Sequence, residues 1–286
     1  MASLSIVVPA KDEAENLKSW LPFLVKWGEY DELIIVDDGS VDDTADVAAS
    51  YGAHVLRHEE SLGNGAAIKH GFREARGDIV VFMDADGQHQ PEDIPRLLEE
   101  MKRTNADMVV GARDASGQAS KARHLANAFY NWFSSQVAGQ KIQDLTSGFR
   151  VVKAKKFAEF LNLLPNGFSY PTTSTMAFFR SGYLVRYVPI DVHKRIGKSH
   201  IKPLKDGARF LIIIFKVATL YSPLKVFIPI AAMCFLLGLA RYVYTYTQMG
   251  TFTNMSALLM VTSVQIFLIG LVSEQITTLI YQTKNE

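Results

Sequence analysis

The chain has 286 residues, room for one α/β domain and an appendage, with 30 Lys+Arg against 29 Asp+Glu and a single cysteine. So even a charge balance argues against a nucleic-acid binder, which would carry a basic excess. The lone Cys234 excludes an intrachain disulfide and a cysteine-based zinc site.

Met1 to Pro9 enters an apolar run directly, with no basic flank and no small-residue cleavage site, so no signal peptide is expected. Leu4–Val8 is apolar, ends at Pro9 and predicts a buried strand. A helix is expected over Asp12 to Lys26. A second strand follows at Leu33–Val36, closed by Asp37-Asp38-Gly39-Ser40, and a helix over Asp42 to Tyr51. His54–Leu56 is a third, weaker strand. Gly63-Asn64-Gly65 opens a helix to about Ala75, and Ile79–Met83 is a fourth strand ending at Asp84-Ala85-Asp86. Pro91, with Glu92 and Asp93 behind it, suits a helix start. Met108–Val110 is a fifth strand. Continuous apolar strands alternating with helices predict a mostly parallel sheet covered on both faces.

The helix expected from Ser120 to Val137 sets Leu125, Ala128, Phe129, Trp132 and Phe133 on one broad face, and Arg123, Asn127 and Asn131 towards the other. Packing on the sheet and lying in a membrane interface both fit that pattern. Asp206–Tyr221 reads similarly, as an interfacial helix. Leu224–Tyr246 and Ser256–Ile280 are almost wholly apolar. A helix over the first would be roughly 34 Å long, enough for a bilayer core of about 30 Å. Two such segments joined by Thr247–Met255 predict a transmembrane hairpin. Lys216, Lys225 and Lys284 flank its ends and the joining loop has no Lys or Arg, which places the preceding domain in the cytoplasm. Arg241 is expected to snorkel, and Glu274 to reach the interface, a lipid head group or a neighbouring subunit. The expected division is 1–205, a soluble domain; 206–223, an interfacial helix; and 224–286, the hairpin.

In open α/β sheets ligands bind beyond the carboxyl ends of the strands. Three polar clusters follow strands there: Pro9–Glu13, Asp37–Ser40 and Asp84–Gln88. Asp84 and Asp86, one residue apart at a strand end, offer hard oxygen ligands for Mg²⁺ or Mn²⁺, and Gln88 can add a carbonyl. An acidic turn is the plain alternative. Asp37 and Asp38 read either as a turn or as a nucleoside-binding carboxylate. Arg150 reads as structural, pairing with a carboxylate such as Asp144.

Ser5 to Glu13, Asp37-Asp38-Gly39-Ser40 and Gly77-Asp78 through Asp84-Ala85-Asp86-Gly87-Gln88-His89 together resemble glycosyltransferase family 2, with its GT-A fold, a Rossmann-like and mostly parallel α/β sheet. Asp84–Pro91 with Asp144-Leu145-Thr146-Ser147-Gly148-Phe149-Arg150 is similar to the dolichol-phosphate mannose synthase branch, which includes bacterial polyprenyl-phosphate glycosyltransferases. The resemblance implies inverting transfer of a hexose from a nucleotide-sugar of the GDP-mannose or UDP-glucose type to a polyprenyl phosphate at the cytoplasmic face of a membrane, more in keeping with a prokaryotic cell membrane than the endoplasmic reticulum. Pro9, Ala10, Glu13, Val36 and Asp38 would contact the nucleoside. Asp84, Ala85, Asp86 and Gln88 would hold metal and diphosphate. Arg113, Arg123 and Asn127 would bind the acceptor phosphate, and Arg195 and Lys198 would reach back to the donor. The partners implied are the nucleotide-sugar, the lipid phosphate and the membrane, with no nucleic acid and room for a homo-oligomer through the transmembrane helices. Lys11 stands where the family often has an aromatic residue, and Ser199-His200, with Lys202 beyond, where Ser-Lys is common. A non-catalytic partner that binds nucleotide-sugar or lipid is the alternative, against which the intact carboxylates argue.

Overall fold

The structure, a computed structural model, describes residues 2–113, 121–167, 170–192, 215, 219 and 221–282, without the side chains of 121–127, 129, 137, 281 and 282. The described residues fall into two compact units, one within 1–133 and 140–203, the other within 134–139 and 204–286.

The first unit is built on seven strands: β1 (Leu4–Ala10), β2 (Glu32–Asp37), β3 (His54–Arg57), β4 (Ile79–Phe82), β5 (Met108–Arg113), β6 (Arg150–Lys153) and β7 (Val185–Ile190). Their order in the sheet is β3-β2-β1-β4-β6-β5-β7, and only β6 runs antiparallel to its neighbours. The predicted strands are all present. β6 and β7 were not anticipated. The reversed β6 decides the site's layout, because Arg150 at its start pairs with Phe82 at the end of β4 and with Val110 near the end of β5. The loop leading into β6 therefore lies at the sheet edge where the parallel strands finish.

Helices cover both faces. On α1 (Ala14–Trp27), Leu17, Trp20, Leu21 and Leu24 recur at helical spacing and are buried against the sheet with Leu97 and Met101 of α4 (Ile94–Thr104). Gly28, at φ 62°, ends α1 in the left-handed conformation and donates its N–H to Leu24 O at 3.1 Å. α2 (Thr44–Ser50) and α3 (Asn64–Glu74) follow β2 and β3. On the α3 side Phe72, Phe82 and Phe157 form a cluster with centroids 4.8 and 4.9 Å apart, Phe157 coming from the short α6 (Ala154–Ala158). Each such ring contributes on the order of 2 kcal/mol by leaving water. α5 (Lys121–Ala138) precedes β6, and α7 (Tyr170–Arg180) precedes β7.

In the second unit, α8 (Pro223–Met249) and α9 (Asn254–Gln282) pair side by side, each long and apolar enough to cross a membrane. Their buried seam is made of small residues seven apart: Ala231, Gly238 and Thr245 on α8; Ser256, Ser263, Gly270 and Thr277 on α9. A strict seven-residue repeat keeps one stripe facing a partner helix, and small side chains let the backbones approach. A Cβ on Gly270 would lie 2.7 Å from Phe227 Cβ, and one on Gly238 3.1 Å from Leu259 Cβ. Large apolar side chains such as Leu236, Leu258 and Val272 face outward. Glu274 turns inward: it accepts the Leu224 N–H at 3.3 Å, so it caps the start of α8 within its own hairpin. The segment expected as an interfacial helix, 206–221, lies outside the described residues apart from 215, 219 and 221.

Candidate active site at the carboxyl edge of the sheet

The loops after β1 and β2 latch together. Asp12, at φ 53°, donates its N–H to Ser40 Oγ and accepts the Val41 N–H, both at 2.9 Å. The Glu13 and Ala14 N–H groups, left open at the start of α1, are taken by Thr44 Oγ1 at 2.9 Å and Asp42 Oδ2 at 3.2 Å. Pro9 and Ala10 are buried strand residues, and Glu13 is half-buried with its carboxylate on the Asn16 amide.

Val36 and Asp38, both expected at the nucleoside, have their side chains turned inward. Val36 is 0% exposed and its side chain lies in the core, close under Gly71 of α3. Asp38 is 4% exposed and holds its own chain. It meets His58 Nδ1 at 2.7 Å and accepts the Ser61 hydroxyl at 2.7 Å and the N–H groups of Leu62 and Gly63 at 2.8 and 2.9 Å. Burial alone would raise its pKa, but these bonds outweigh that and hold it below the usual carboxylate range. His58 continues to His70, Nε2 to Nδ1 at 2.9 Å, with the rings stacked. Asp38 thus fixes the loop after β3 rather than offering an open carboxylate.

The Asp84–Gln88 loop is held from three sides. Trp20 donates its indole N–H to Ala85 O at 3.1 Å. His89, stacked on Phe149, offers Nδ1 to the Asp84 N–H at 3.4 Å. Gly148 comes so close that a Cβ there would lie 2.4 Å from Asp84 Oδ2 and 2.7 Å from Oδ1. Gly87, at φ 71°, makes the turn that brings the Gln88 N–H to Asp86 Oδ1 at 3.2 Å. Asp84, Asp86 and Gln88 all remain half-exposed. His89 is buried, and desolvation pulls its pKa down to about 4, so it stays neutral near pH 7.

Arg113 ends β5 in the same region. Its Nε and Nη2 meet Asp144 Oδ2 and Oδ1 at 2.7 and 2.9 Å, a bidentate fork, and Nη2 also donates to Thr146 Oγ1. Burial alone would lower the Arg113 pKa; Asp144, and then the charges of Asp84 and Asp86, outweigh it and raise it. Asp144 is in turn pulled below the usual range despite its burial, because Arg113 and backbone N–H groups favour its charged form. The expectation that Arg150 pairs with Asp144 is therefore corrected. Arg150 is fully buried and structural, donating to Pro171 O at 2.9 Å, Ser174 Oγ at 2.8 Å, Thr175 Oγ1 at 3.2 Å and the Ser147 carbonyl. Tyr170 donates its hydroxyl to Gly148 O at 3.0 Å. Asn131 of α5 grips the other end of the loop through Gln143 O at 2.7 Å and the Leu145 N–H at 3.1 Å.

The structure thus brings Asp84, Ala85, Asp86, Gln88 and Arg113 to one edge. Arg123 and Asn127 belong to helix α5, with side chains outside the described residues. Arg195 and Lys198, with His200 and Lys202, also lie outside them. Trp20, His89, Asn131 and Gly148 were not singled out from sequence as support for the site. Only the Asp144–Arg150 motif hinted at such a role.

Residues 5–161 match the family model of glycosyl transferase family 2, and residues 222–279 match the GtrB C-terminal hairpin. The chain is 31% identical to undecaprenyl-phosphate mannosyltransferase of Micrococcus luteus over 208 residues, 68% of this chain and 85% of that protein. It is 33% identical to dolichol-phosphate mannosyltransferase of Pyrococcus furiosus over 181 residues, 58% of this chain and half of that one. Glucosyl-3-phosphoglycerate synthase from Mycobacterium tuberculosis, solved with Mn²⁺ and UDP-glucose, superposes with a TM-score of 0.60 at 22% identity, covering 76% of this chain and 79% of that one, a likeness of fold. With a mostly parallel GT-A sheet, the family's motifs at its carboxyl edge and a matching C-terminal hairpin, the chain belongs to glycosyl transferase family 2.

Proposed function

We propose that this protein transfers a hexose from a nucleotide-sugar of the GDP-mannose or UDP-glucose type to a polyprenyl phosphate, with inversion, at the cytoplasmic face of the membrane that its hairpin enters. The observation that carries the reading is the convergence of Asp84, Asp86 and Gln88 with the Asp144-held Arg113 at one sheet edge. The names of the relatives from Micrococcus luteus and Pyrococcus furiosus support the acceptor class. Residues 1–205 would form the transferase domain, 206–223 the connection and 224–286 the anchor.

The donor set fits Mg²⁺ or Mn²⁺. Asp84, Asp86 and Gln88 offer only oxygen, and Gly148 leaves the Asp84 carboxylate room it would lose to any side chain. Among the described residues no three His, Cys, Asp or Glu are arranged to hold a metal ion by themselves, and diphosphate and water oxygens would complete the coordination. The ion, when bound, supplies positive charge against the leaving diphosphate. Mn²⁺ beside UDP-glucose in the Mycobacterium tuberculosis enzyme supports the assignment.

The acceptor needs no general base, since the second pKa of a phosphate monoester is about 6. It needs relief from repulsion by the donor, on the order of 4 kcal/mol per pair of unit charges at 4 Å and an effective dielectric of 20. Arg113 supplies part of that relief, and Arg123 and, one helical turn after it, Asn127 would add to it. Arg195 and Lys198 would serve the donor diphosphate. Pro9, Ala10 and Glu13 would line the nucleoside side, where the backbone at Val36 and the loop held by Asp38 complete the wall. The test is a reaction of the full chain in detergent with each donor, undecaprenyl or dolichyl phosphate and Mn²⁺, read by mass spectrometry. A hexosyl phospholipid is expected, absent with Asp86→Ala. Full activity of that variant, or of the wild type in excess chelator, would overturn the metal assignment; no glycolipid from any pairing would overturn the function.

A further inference from the structure

The search for functions beyond this reading leads to the loop entering β6. Asp144 is 5% exposed, and its two oxygens are shared among two side chains, Arg113 and the Thr146 hydroxyl at 3.2 Å, and three backbone groups. Oδ2 accepts Arg113 Nε and the Arg113 backbone N–H, at 2.7 and 3.2 Å. Oδ1 accepts Arg113 Nη2 at 2.9 Å and the N–H groups of Thr146 and Ser147 at 3.0 and 3.1 Å. A carboxylate so occupied has no lone pair directed at a substrate. What it does have is control of an arginine: with Nε and Nη2 committed to Asp144 and Thr146, only Nη1 has no bond among the described residues.

The loop is itself immobilised. Asn131 holds its first turn, the buried Arg150 guanidinium holds Ser147 O, and Tyr170 holds Gly148 O. Gly148, four residues after Asp144, rests against the Asp84 carboxylate. One rigid segment therefore touches both the arginine expected at the acceptor and the carboxylate expected at the metal.

We propose that Asp144 is a positioning residue for Arg113: it fixes the guanidinium so that its Nη1 edge faces the acceptor phosphate, at a separation from Asp84 set by the 144–148 backbone. This rests on the acceptor reading given above. An arginine free to choose rotamers would no longer hold Nη1 in one place towards the acceptor, while keeping its charge.

The experiment uses the full chain in detergent, Arg113→Ala, Asp144→Asn and the double variant, with undecaprenyl phosphate. Asp144→Asn should raise the KM for undecaprenyl phosphate by tenfold or more, with the donor dissociation constant, measured calorimetrically without lipid, changed less than about twofold. The double variant should be no worse than Arg113→Ala within about threefold, because Asp144 acts through Arg113. A second readout needs no turnover: phenylglyoxal labelling of Arg113, followed by mass spectrometry, should be several-fold faster in Asp144→Asn than in the wild type. Unchanged labelling, or losses in the two single variants that multiply in the double, would overturn the proposal. Faster labelling in a protein that makes no glycolipid would instead keep the positioning and sink the acceptor reading. Should Asp144→Asn not fold, Thr146→Val removes the other Nη2 partner and should move labelling and KM the same way by a smaller factor; no movement in either would overturn the proposal.

Discussion

Gly148→Ala tests the metal loop with one methyl group. The added Cβ would lie 2.4, 2.7 and 2.8 Å from Asp84 Oδ2, Oδ1 and Cγ. Ordinary contact begins near 3.4 Å, so the Asp84 carboxylate must retreat by roughly 0.6–1 Å. It is the end of a half-exposed side chain and has somewhere to go, so the fold should survive. Its backbone is no obstacle either, since Gly148 is not among the positive-φ glycines. A displacement of about 1 Å at a reacting centre costs up to ~10²-fold in rate, and a lost supporting contact about 10–100-fold in metal affinity. The assay is glycolipid formation across a Mn²⁺ titration, beside a thermal melt. The expected outcome is a 10–100-fold higher Mn²⁺ requirement with a melting temperature within a few degrees of wild type, taken as roughly 1 kcal/mol or less. Normal Mn²⁺ dependence would refute the claim that Gly148 sets Asp84.

Three further outcomes follow from other parts of the molecule. His89 has a folded pKa of about 4 against an ordinary 6.5, so between those values the unfolded chain binds more protons and stability falls as pH falls. Relative to His89→Gln, the wild type should lose roughly 2 kcal/mol of stability between pH 7 and pH 5, measured by denaturant melts; equal losses would show that His89 is not held neutral. Gly270→Leu should separate α8 from α9 and cost about 1–3 kcal/mol by overpacking, seen as a lower melting temperature, whereas the outward-facing Val272→Leu should change little. With Cys234 replaced by serine, Thr251→Cys should react with an impermeant thiol reagent from the outer face of intact cells; labelling from the cytoplasmic face alone would reverse the proposed topology.

The parallel strands were legible because a strand buried on both faces must be continuously apolar, as Ile6–Val8, Leu33–Val36 and Ile79–Phe82 are. Their carboxyl ends then fix where Asp84 and Asp86 stand. β6 was illegible for a physical reason. It is four residues, Arg150-Val151-Val152-Lys153, with a cation at each end, and its arginine is hydrogen-bonded by buried carbonyls and hydroxyls that no local pattern announces. β7 is buried only at its two ends, Val185 and Ile190, and contains Pro189, as suits an edge strand, so it offers neither a continuous apolar run nor a clean alternation. The pairing of Arg113 with Asp144 joins residues 31 apart through that unexpected reversal, which is why sequence gave Asp144 the wrong arginine. Asp38 was read from sequence as a turn or as a nucleoside-binding carboxylate; its two oxygens are turned inward onto His58, Ser61, Leu62 and Gly63, partners 20 to 25 residues away that no local pattern announces. The hairpin's length was plain from hydropathy, whereas its seven-residue seam of small side chains emerges only once the partner helix is known.

The most direct test of the central claim is the anomeric configuration of the product. In-line attack by a lipid phosphate held at Arg113 on the anomeric carbon of an α-linked nucleotide-sugar, beside the Asp84–Gln88 loop, predicts a β-linked hexosyl phosphate. Proton and carbon coupling constants across the anomeric centre of the purified glycolipid measure it. A β product formed only when polyprenyl phosphate and divalent metal are both supplied is the result expected; an α-linked product, or a β product formed on water or a sugar hydroxyl instead of the lipid phosphate, would contradict the account.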